Sequence, residues 1–284
     1  MNTQCHGRTK TGVRCKRTTR DKNSFCFQHQ RQTIPIINPQ LKLDWLVSHS
    51  TGKGVKVAVI DSGVDASHPD LKGKVKRACV VKETTEGKIE CEEIPVQESY
   101  DSFGHGTAVA GIITDLAPDA EIINVKVLNE YNSCTGDILI QGIRWALDQD
   151  IKLINMSLAT SKERHIPMIF RLCEQAYVQN SIIVASRRNF GDLGCPAMFS
   201  SVISVNRKDF DNKYALHFKP RSLIEYEARG TQIKVPAPGG GYAELTGTSF
   251  ATPHVTGMVA LLLQVMPDLV PAEAKAILKS MSSA

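Results

Sequence analysis

The stretch VKVAVIDSGVDASHPDL, residues 55–71, decides the fold. Val55–Asp61 is apolar at almost every position and rich in β-branched residues, as a strand buried on both faces should be. The strand runs out at Asp61, and a Gly- and Pro-bearing segment follows. A strand covered on both sides needs helices above and below it, so the chain should alternate the two. It does. Glu121–Leu128 (EIINVKVL), Ile151–Leu158 (IKLINMSL), Ser181–Ser186 (SIIVAS) and Ser201–Val205 (SVISV) read as further apolar strands. Between them, Gly136–Gln149 carries Leu139, Ile143, Ala146 and Leu147 on one helical face, and Pro167–Asn180 does the same through Ile169, Leu172, Cys173, Ala176 and Tyr177. Strands separated by helices of this length predict βαβ units and an α/β fold with a doubly wound, mostly parallel sheet. Ligand sites in such sheets lie beyond the carboxyl ends of the strands. Asp61 stands at one of those ends.

The 284 residues suit one large domain plus a small appendage, and 42% apolar with 22% charged residues is ordinary globular composition. Net charge is +5, unevenly placed: residues 1–33 hold eight Lys or Arg against one Asp, about +7, which leaves about −2 for the rest. Residues 34–44 begin with IPIINPQ, whose two prolines read as a linker, and the main domain is expected over 45–284. The first 30 residues contain no apolar run ahead of a cleavage site, and no stretch of 18 apolar residues suggests a membrane span. The eight cysteines, at 5, 15, 26, 79, 91, 134, 173 and 195, form no tight framework. Together these features predict reduced thiols and a cytoplasmic protein without membrane attachment.

Two further strings carry chemistry. His105 lies in DSFGHGTAVAGII, between glycines that let neighbouring backbone come close. Ser249 lies in ELTGTSFATPHVTGMVALLLQ, at the expected start of a long apolar helix, with Pro253 expected in its first turn. Backbone N–H groups at a helix start favour negative charge, which suits a nucleophile whose product is an oxyanion. Taken singly, each residue has a plainer reading: Asp61 as a turn or cap residue, His105 as a packed structural histidine, Ser249 as an N-cap.

Together, DSGV, HGTAVAG and GTSFATPHVTG resemble the Asp, His and Ser blocks of the subtilisin (subtilase) family, in that family's order. The resemblance runs from about Trp45 to the end. It implies a subtilisin-type fold and a serine endopeptidase with Asp61, His105 and Ser249 as its triad. It also implies Asn189, in SIIVASRRNFGD, as an oxyanion donor beside the Ser249 N–H. Arg188 replaces a family glycine there, with Arg187 before it. The pair would reshape the specificity pocket, require acidic substrate residues, or leave a hole that forms only with a partner; two solvated loop arginines are the plain alternative. By the same resemblance, Ser157, Leu158 and Ala159 in INMSLAT should pair with an extended peptide, and Asn132, Ser133 and Cys134 with its other side. Ala159 stands for a family glycine, and Cys195–Pro196 falls where the family often has a cis proline. No cofactor is needed for this chemistry. The segment GIITDLAPDAEIINVKVL passes directly from helix to strand, so the tight calcium site of secreted members should be absent. The segment before the domain does not resemble the family's folding propeptide, so unaided folding is expected.

Residues 5–29 read C-x9-C-x10-C-x2-H through Cys5, Cys15, Cys26 and His29. Three thiolates and an imidazole suit a tetrahedral structural zinc, whose binding would supply folding energy to a segment too short for its own core. His6 is a rival ligand, and a basic tail with incidental thiols is the alternative. The module resembles small Cys/Cys/Cys/His segments appended to varied proteins. Its charge suits a protein or nucleic-acid partner. The expected function is a specialised intracellular processing or regulatory protease acting on peptides or proteins. The rival is a pseudoprotease or partner-activated adaptor tethered through the module.

Overall fold

The computed structural model describes residues 3–4, 18–19, 42–189 and 194–282. The chain divides into two units, 1–42 and 43–284. In the first, β1 (Thr3–Gln4) and β2 (Thr18–Thr19) form an antiparallel pair with Thr3 opposite Thr19. Cys5, Cys15, Cys26, His29 and residues 34–41 lie outside the described residues.

The second unit opens with helix α1 (Leu43–His49), which begins inside the stretch expected as linker and buries Leu46. Then come β3 (Lys56–Asp61), β4 (Val75–Glu83), β5 (Ile89–Ile94), α2 (His105–Leu116), β6 (Glu121–Lys126), α3 (Gly136–Asp148), β7 (Leu153–Met156), α4 (Ile166–Val178), β8 (Ile182–Ser186), β9 (Ile203–Lys208), β10 (Leu216–Phe218), β11 (Tyr226–Arg229), β12 (Ile233–Ala237), β13 (Gly241–Leu245), α5 (Thr248–Val265) and α6 (Pro271–Met281). The five strands read from the sequence are all present, each within about two residues at its start. The readings of 121–128 and 151–158 ran two residues too far, because the chain leaves the ladder there to enter the site.

The nine-stranded sheet has the order β10-β11-β9-β8-β7-β3-β6-β4-β5. Every pairing from β11 to β4 is parallel, and β10 and β5 close the two edges antiparallel. Successive strands alternate sides of β3: β6 lies on one side and β7 on the other. That makes the carboxyl end of β3 the point where the winding reverses and a crevice opens.

Side chains along β3 alternate faces. Ala58 and Ile60 join the core under α3 and α4, with Ile143, Leu147, Ile169, Leu172 and Ala176. Val57, Val59 and Asp61 therefore face the layer of α2 and α5, which pack on each other. Val57, Val59 and Ile60 are fully buried, and each such side chain contributes about 1.5–3 kcal/mol of burial. Helix α5 is buried from Thr248 through Leu263 except at Ser249. A helix apolar on all sides belongs in a core, and α5 threads that layer with its N-terminus at the crevice.

Two expectations are corrected. Cys79 and Cys91 form a disulfide across the β4–β5 hairpin, with Cα atoms 6.0 Å apart. The register sets Cys79 opposite Glu93 and Cys91 opposite Val81, so the two cysteines are diagonal neighbours on one face. Spacing alone, which shows no framework, predicts reduced thiols throughout, and hairpin register is invisible to spacing. Cys134, Cys173 and Cys195 are free thiols. Secondly, Pro253 lies within α5, at the sixth helical position, not in the first turn.

Candidate active site

Asp61 ends β3 and is 0% exposed. Its Oδ1 accepts from the Ser62 N–H at 2.7 Å and from His105 Nδ1 at 2.7 Å. A ring nitrogen facing a carboxylate carries the proton, so Nε2 is left as the basic nitrogen of neutral His105. Asp61 Oδ2 is buried without a hydrogen-bond partner among the described residues. Its charge is thus offset mainly through Oδ1.

His105 begins α2 and is 9% exposed. Gly106, next in the chain, explains how the helix start comes so near the Asp61 turn: a Cβ at 106 would meet the Gly63 carbonyl oxygen at 2.1 Å and Asp61 Cβ at 3.0 Å. The N-cap is Gly104, which offers no capping side chain. Asp101 does that work from three residues upstream. Its Oδ1 accepts from Ser62 Oγ (2.7 Å), Phe103 N (3.0 Å) and Gly104 N (2.8 Å), and its Oδ2 accepts from Thr107 N (2.8 Å) and Thr107 Oγ1 (2.6 Å). A carboxylate at a helix N-terminus is stabilised by the dipole as well as by these donors. Burial pulls the His105 pKa down, but the Asp61 charge and hydrogen bond, aided by Asp101, outweigh it and hold the pKa above the ordinary histidine value.

Lys126, the last residue of β6, is buried behind this turn and spends three donors. Its ammonium donates to Ser62 O (2.8 Å), Ser102 Oγ (2.6 Å) and Leu128 O (2.6 Å). Burial lowers its pKa, against the pull of Asp101, Glu130 and Asp61. One cation thus ties together the turn after β3, the loop before α2 and the chain entering the cleft. Asp101 and Lys126 escaped the sequence reading. Their signals were a carboxylate four residues before His105 and a lysine closing the otherwise mostly apolar strand EIINVK.

Ser249 is the second residue of α5 and half-buried. The ring of His105 packs against Phe250, the next residue, with centroids 5.3 Å apart. Asn189 is exposed on the segment after β8. Its Oδ1 accepts from the Thr248 N–H at 3.0 Å, while Thr248 Oγ1 donates to Arg187 O at 2.6 Å and lies 3.0 Å from the same Oδ1. The carbonyl end of the Asn189 amide is therefore anchored to the start of α5, and the Nδ2 donors have no partner among the described residues.

One cleft of about 510 Å3 gathers the rest. Its lining includes Asn132, Ser133, Cys134, Ser157, Leu158, Ala159, Arg188, Asn189 and Ser249 together. It also includes Arg187, the other member of the arginine pair expected to shape the pocket, and Lys162, which the sequence does not single out. Asn132–Cys134 follows a turn closed on Asn129, whose carbonyl accepts from the Asn132 N–H at 3.0 Å and whose Oδ1 accepts from the Ser133 N–H at 3.1 Å. Ser157–Ala159 continues past Met156, the last ladder residue of β7. The Cys195–Pro196 bond is cis. Cys134 is neutral in this wall, its thiol pushed up to about 11 chiefly by burial, against a smaller opposing pull from Lys162. Among the described residues no three His, Cys, Asp or Glu side chains gather as a metal cluster.

Residues 52–283 match the model of the subtilase family. The chain belongs to the subtilase family. Over 254 residues this subtilase is 35% identical to the intracellular serine protease of Paenibacillus polymyxa, an alignment covering 84% of this chain and 75% of the relative. It is 34% identical over 265 residues to subtilisin of Bacillus pumilus, covering 88% and 91%. The solved structure of Sphericase superposes with a TM-score of 0.68 at 28% identity, covering 81% of this chain and 84% of that one. The protein is a subtilisin-type serine endopeptidase with the α/β fold of that family, and it acts on peptide or protein substrates. None of its described helices is long and apolar enough to cross a membrane.

Proposed function

We propose that Asp61, His105 and Ser249 form the catalytic triad of this subtilase and that Asn189 completes its oxyanion hole. His105 Nε2 takes the Ser249 hydroxyl proton as Oγ attacks the peptide carbonyl, then delivers it to the leaving amine. Asp61 holds the imidazole in the tautomer with Nδ1 protonated and stabilises the imidazolium that forms. The Asn189 Nδ2 group and the Ser249 N–H receive the developing oxyanion; such a side-chain donor is worth roughly 10²–10³ in rate in subtilisin. The acyl-enzyme is then hydrolysed by water along the same path in reverse. The observation that carries this reading is the 2.7 Å bond between His105 Nδ1 and Asp61 Oδ1, with Ser249 directly preceding the phenylalanine on which the imidazole packs. Hydrolysis of a denatured protein substrate should vanish in Ser249→Ala. Persistence of hydrolysis in that variant would remove Ser249 as the nucleophile. The anchored Asn189 supports an enzyme over an adaptor.

We further propose an intracellular, cytoplasmic enzyme that processes particular proteins, supported by the name of the P. polymyxa relative. The Cys5, Cys15, Cys26 and His29 set would hold a structural zinc and recruit a protein or nucleic-acid partner through its positive charge, with catalysis needing no cofactor and the tight calcium site absent. One equivalent of zinc per chain, lost in Cys26→Ser, would support the module; metal-free protein with unchanged stability would exclude it.

A further inference from the structure

The cleft at Ser249 is cationic. Arg187, Arg188 and Lys162 line it, and no carboxylate does among the described residues. Of the carboxylates next to lining residues in sequence, Asp137 lies 3.8 Å from His165 Nδ1 and Glu163 is exposed, while Asp192 lies outside the described residues. None of the three cations has an ion-pair partner among the described residues.

Arg188 is the best placed of them. It is half-buried and adjoins Asn189, the oxyanion donor. Its stem runs over Gly194: a Cβ at 194 would meet Arg188 Cγ and Cδ, each at 2.7 Å, and Ala159 Cβ at 3.0 Å. Gly194 therefore makes room for the arginine stem, with Ala159 beside it. The residue whose carbonyl Ser249 attacks is fixed by Ser249 and Asn189. The recess between 157–160 and 187–188 belongs to the same cleft as Ser249 and Asn189 and is open to that residue's side chain. Lys162 reaches the same cleft from the far wall, where its charge is felt by the Cys134 thiol. A half-buried guanidinium without a counter-ion among the described residues favours a ligand that supplies one, and a carboxylate can be held bidentately. An apolar side chain entering the recess would strip water from Arg188 and return nothing.

We propose that this subtilase cleaves after acidic residues, with Arg188 as the specificity determinant and Lys162 as its second cation. The proposal rests on the peptidase reading of the same site. Charge-assisted recognition of this kind discriminates by roughly 10- to 100-fold.

The test is kcat/KM of the full chain on a peptide series that varies only the residue before the scissile bond, with denatured casein as a reference substrate. Glu or Asp should exceed Leu and Phe by at least about tenfold, and the margin should shrink at high salt as exposed parts of the site are screened. Arg188→Glu should reverse the order in favour of Lys, and Lys162→Ala should narrow the acidic preference. Casein cleavage with Leu or Phe preferred, and unchanged in Arg188→Gly, would overturn the proposal and leave the peptidase reading standing. No cleavage of casein or any peptide would sink both. A folded Arg188→Glu protein that still prefers Glu would also overturn it.

Discussion

Ser157 Oγ donates a 2.8 Å hydrogen bond to the carbonyl oxygen of Ser249. The bond exists because Pro253 has no N–H. In an unbroken helix the residue at 253 would donate to the carbonyl at 249, and proline removes that donor. A side chain from the substrate wall takes its place. Behind it, Asn155 Nδ2 donates to Ser157 Oγ at 3.0 Å, and Thr256 Oγ1 donates to Asn155 Oδ1 at 2.8 Å. The backbone of Ser249 is thus held by a polar chain running from β7 into α5.

Ser157→Ala should lower kcat by roughly tenfold with little change in KM, because it leaves the part-buried carbonyl of Ser249, the proposed nucleophile, without this donor. Pro253→Ala restores an N–H to that carbonyl and should recover part of the loss in the double variant. Steady-state kinetics of the three variants checks this. A Ser157→Ala enzyme with wild-type kcat would show that the bond does not position Ser249.

The pH dependence of kcat/KM should follow His105. The base must be neutral, and its pKa is raised by Asp61 and Asp101 against the opposing effect of burial, so the acidic limb should have its midpoint above about 6.5. Asp61→Asn should move the limb down and reduce kcat by roughly 10⁴. A limb below the ordinary histidine value in the wild type would contradict the assignment of causes.

Stability should fall as pH drops from about 6.5 to about 4. His254 is buried, its Nδ1 lies 2.8 Å from Phe250 O, and burial lowers its pKa to about 4. Between those two values the unfolded chain binds a proton that the folded chain refuses, so stability rises with pH through that window and is lost on acidification. The full effect is about 3 kcal/mol. Denaturant unfolding of wild type and His254→Gln at pH 7 and 4.5 measures it; equal slopes with pH in both would exclude His254. His105 acts in the opposite sense, its contribution being present below the unfolded value and lost as pH rises through its raised folded pKa.

Asp101→Ala removes the carboxylate that caps α2 in place of a side chain on Gly104. The expected cost is about 2 kcal/mol of stability, with reduced kcat because His105 is the first residue of that helix. Thermal unfolding and kinetics together decide it. Full activity in the folded variant would leave Asp101 with a structural role alone.

Reduction of the Cys79–Cys91 bond, which closes a separation of 12 residues, should lower stability by about 3 kcal/mol on a chain-entropy basis. Unfolding with and without reductant, compared with a Cys79→Ser, Cys91→Ser double variant, tests this. Identical stability in all three would mean the hairpin is held without the bond.

The fold was legible from Val57–Ile60 and its counterparts because strands buried on both faces leave a continuous apolar signature. Asp61, His105 and Ser249 stand out as candidates because each lies in a long motif rich in small residues, and the Gly106–Gly63 approach shows why small residues are needed there. What stayed hidden depends on contacts between distant segments. Lys126 reads as one charge in a strand until its three acceptors are seen. The Cys79–Cys91 pairing depends on hairpin register. The turn that leads into Asn132–Cys134 is closed by the Asn129 side chain, a contact the motif does not announce. Arg188 was read as a departure from a family glycine, but its lie across Gly194 follows only from the fold.

The central claim is that His105, held by Asp61, activates Ser249. The most direct measurement is covalent labelling of the full chain with a fluorophosphonate, followed by peptide mapping. The account predicts one label per chain on Ser249, none in Ser249→Ala, and strongly slowed labelling in His105→Ala. Labelling elsewhere, or at an undiminished rate in His105→Ala, would contradict it.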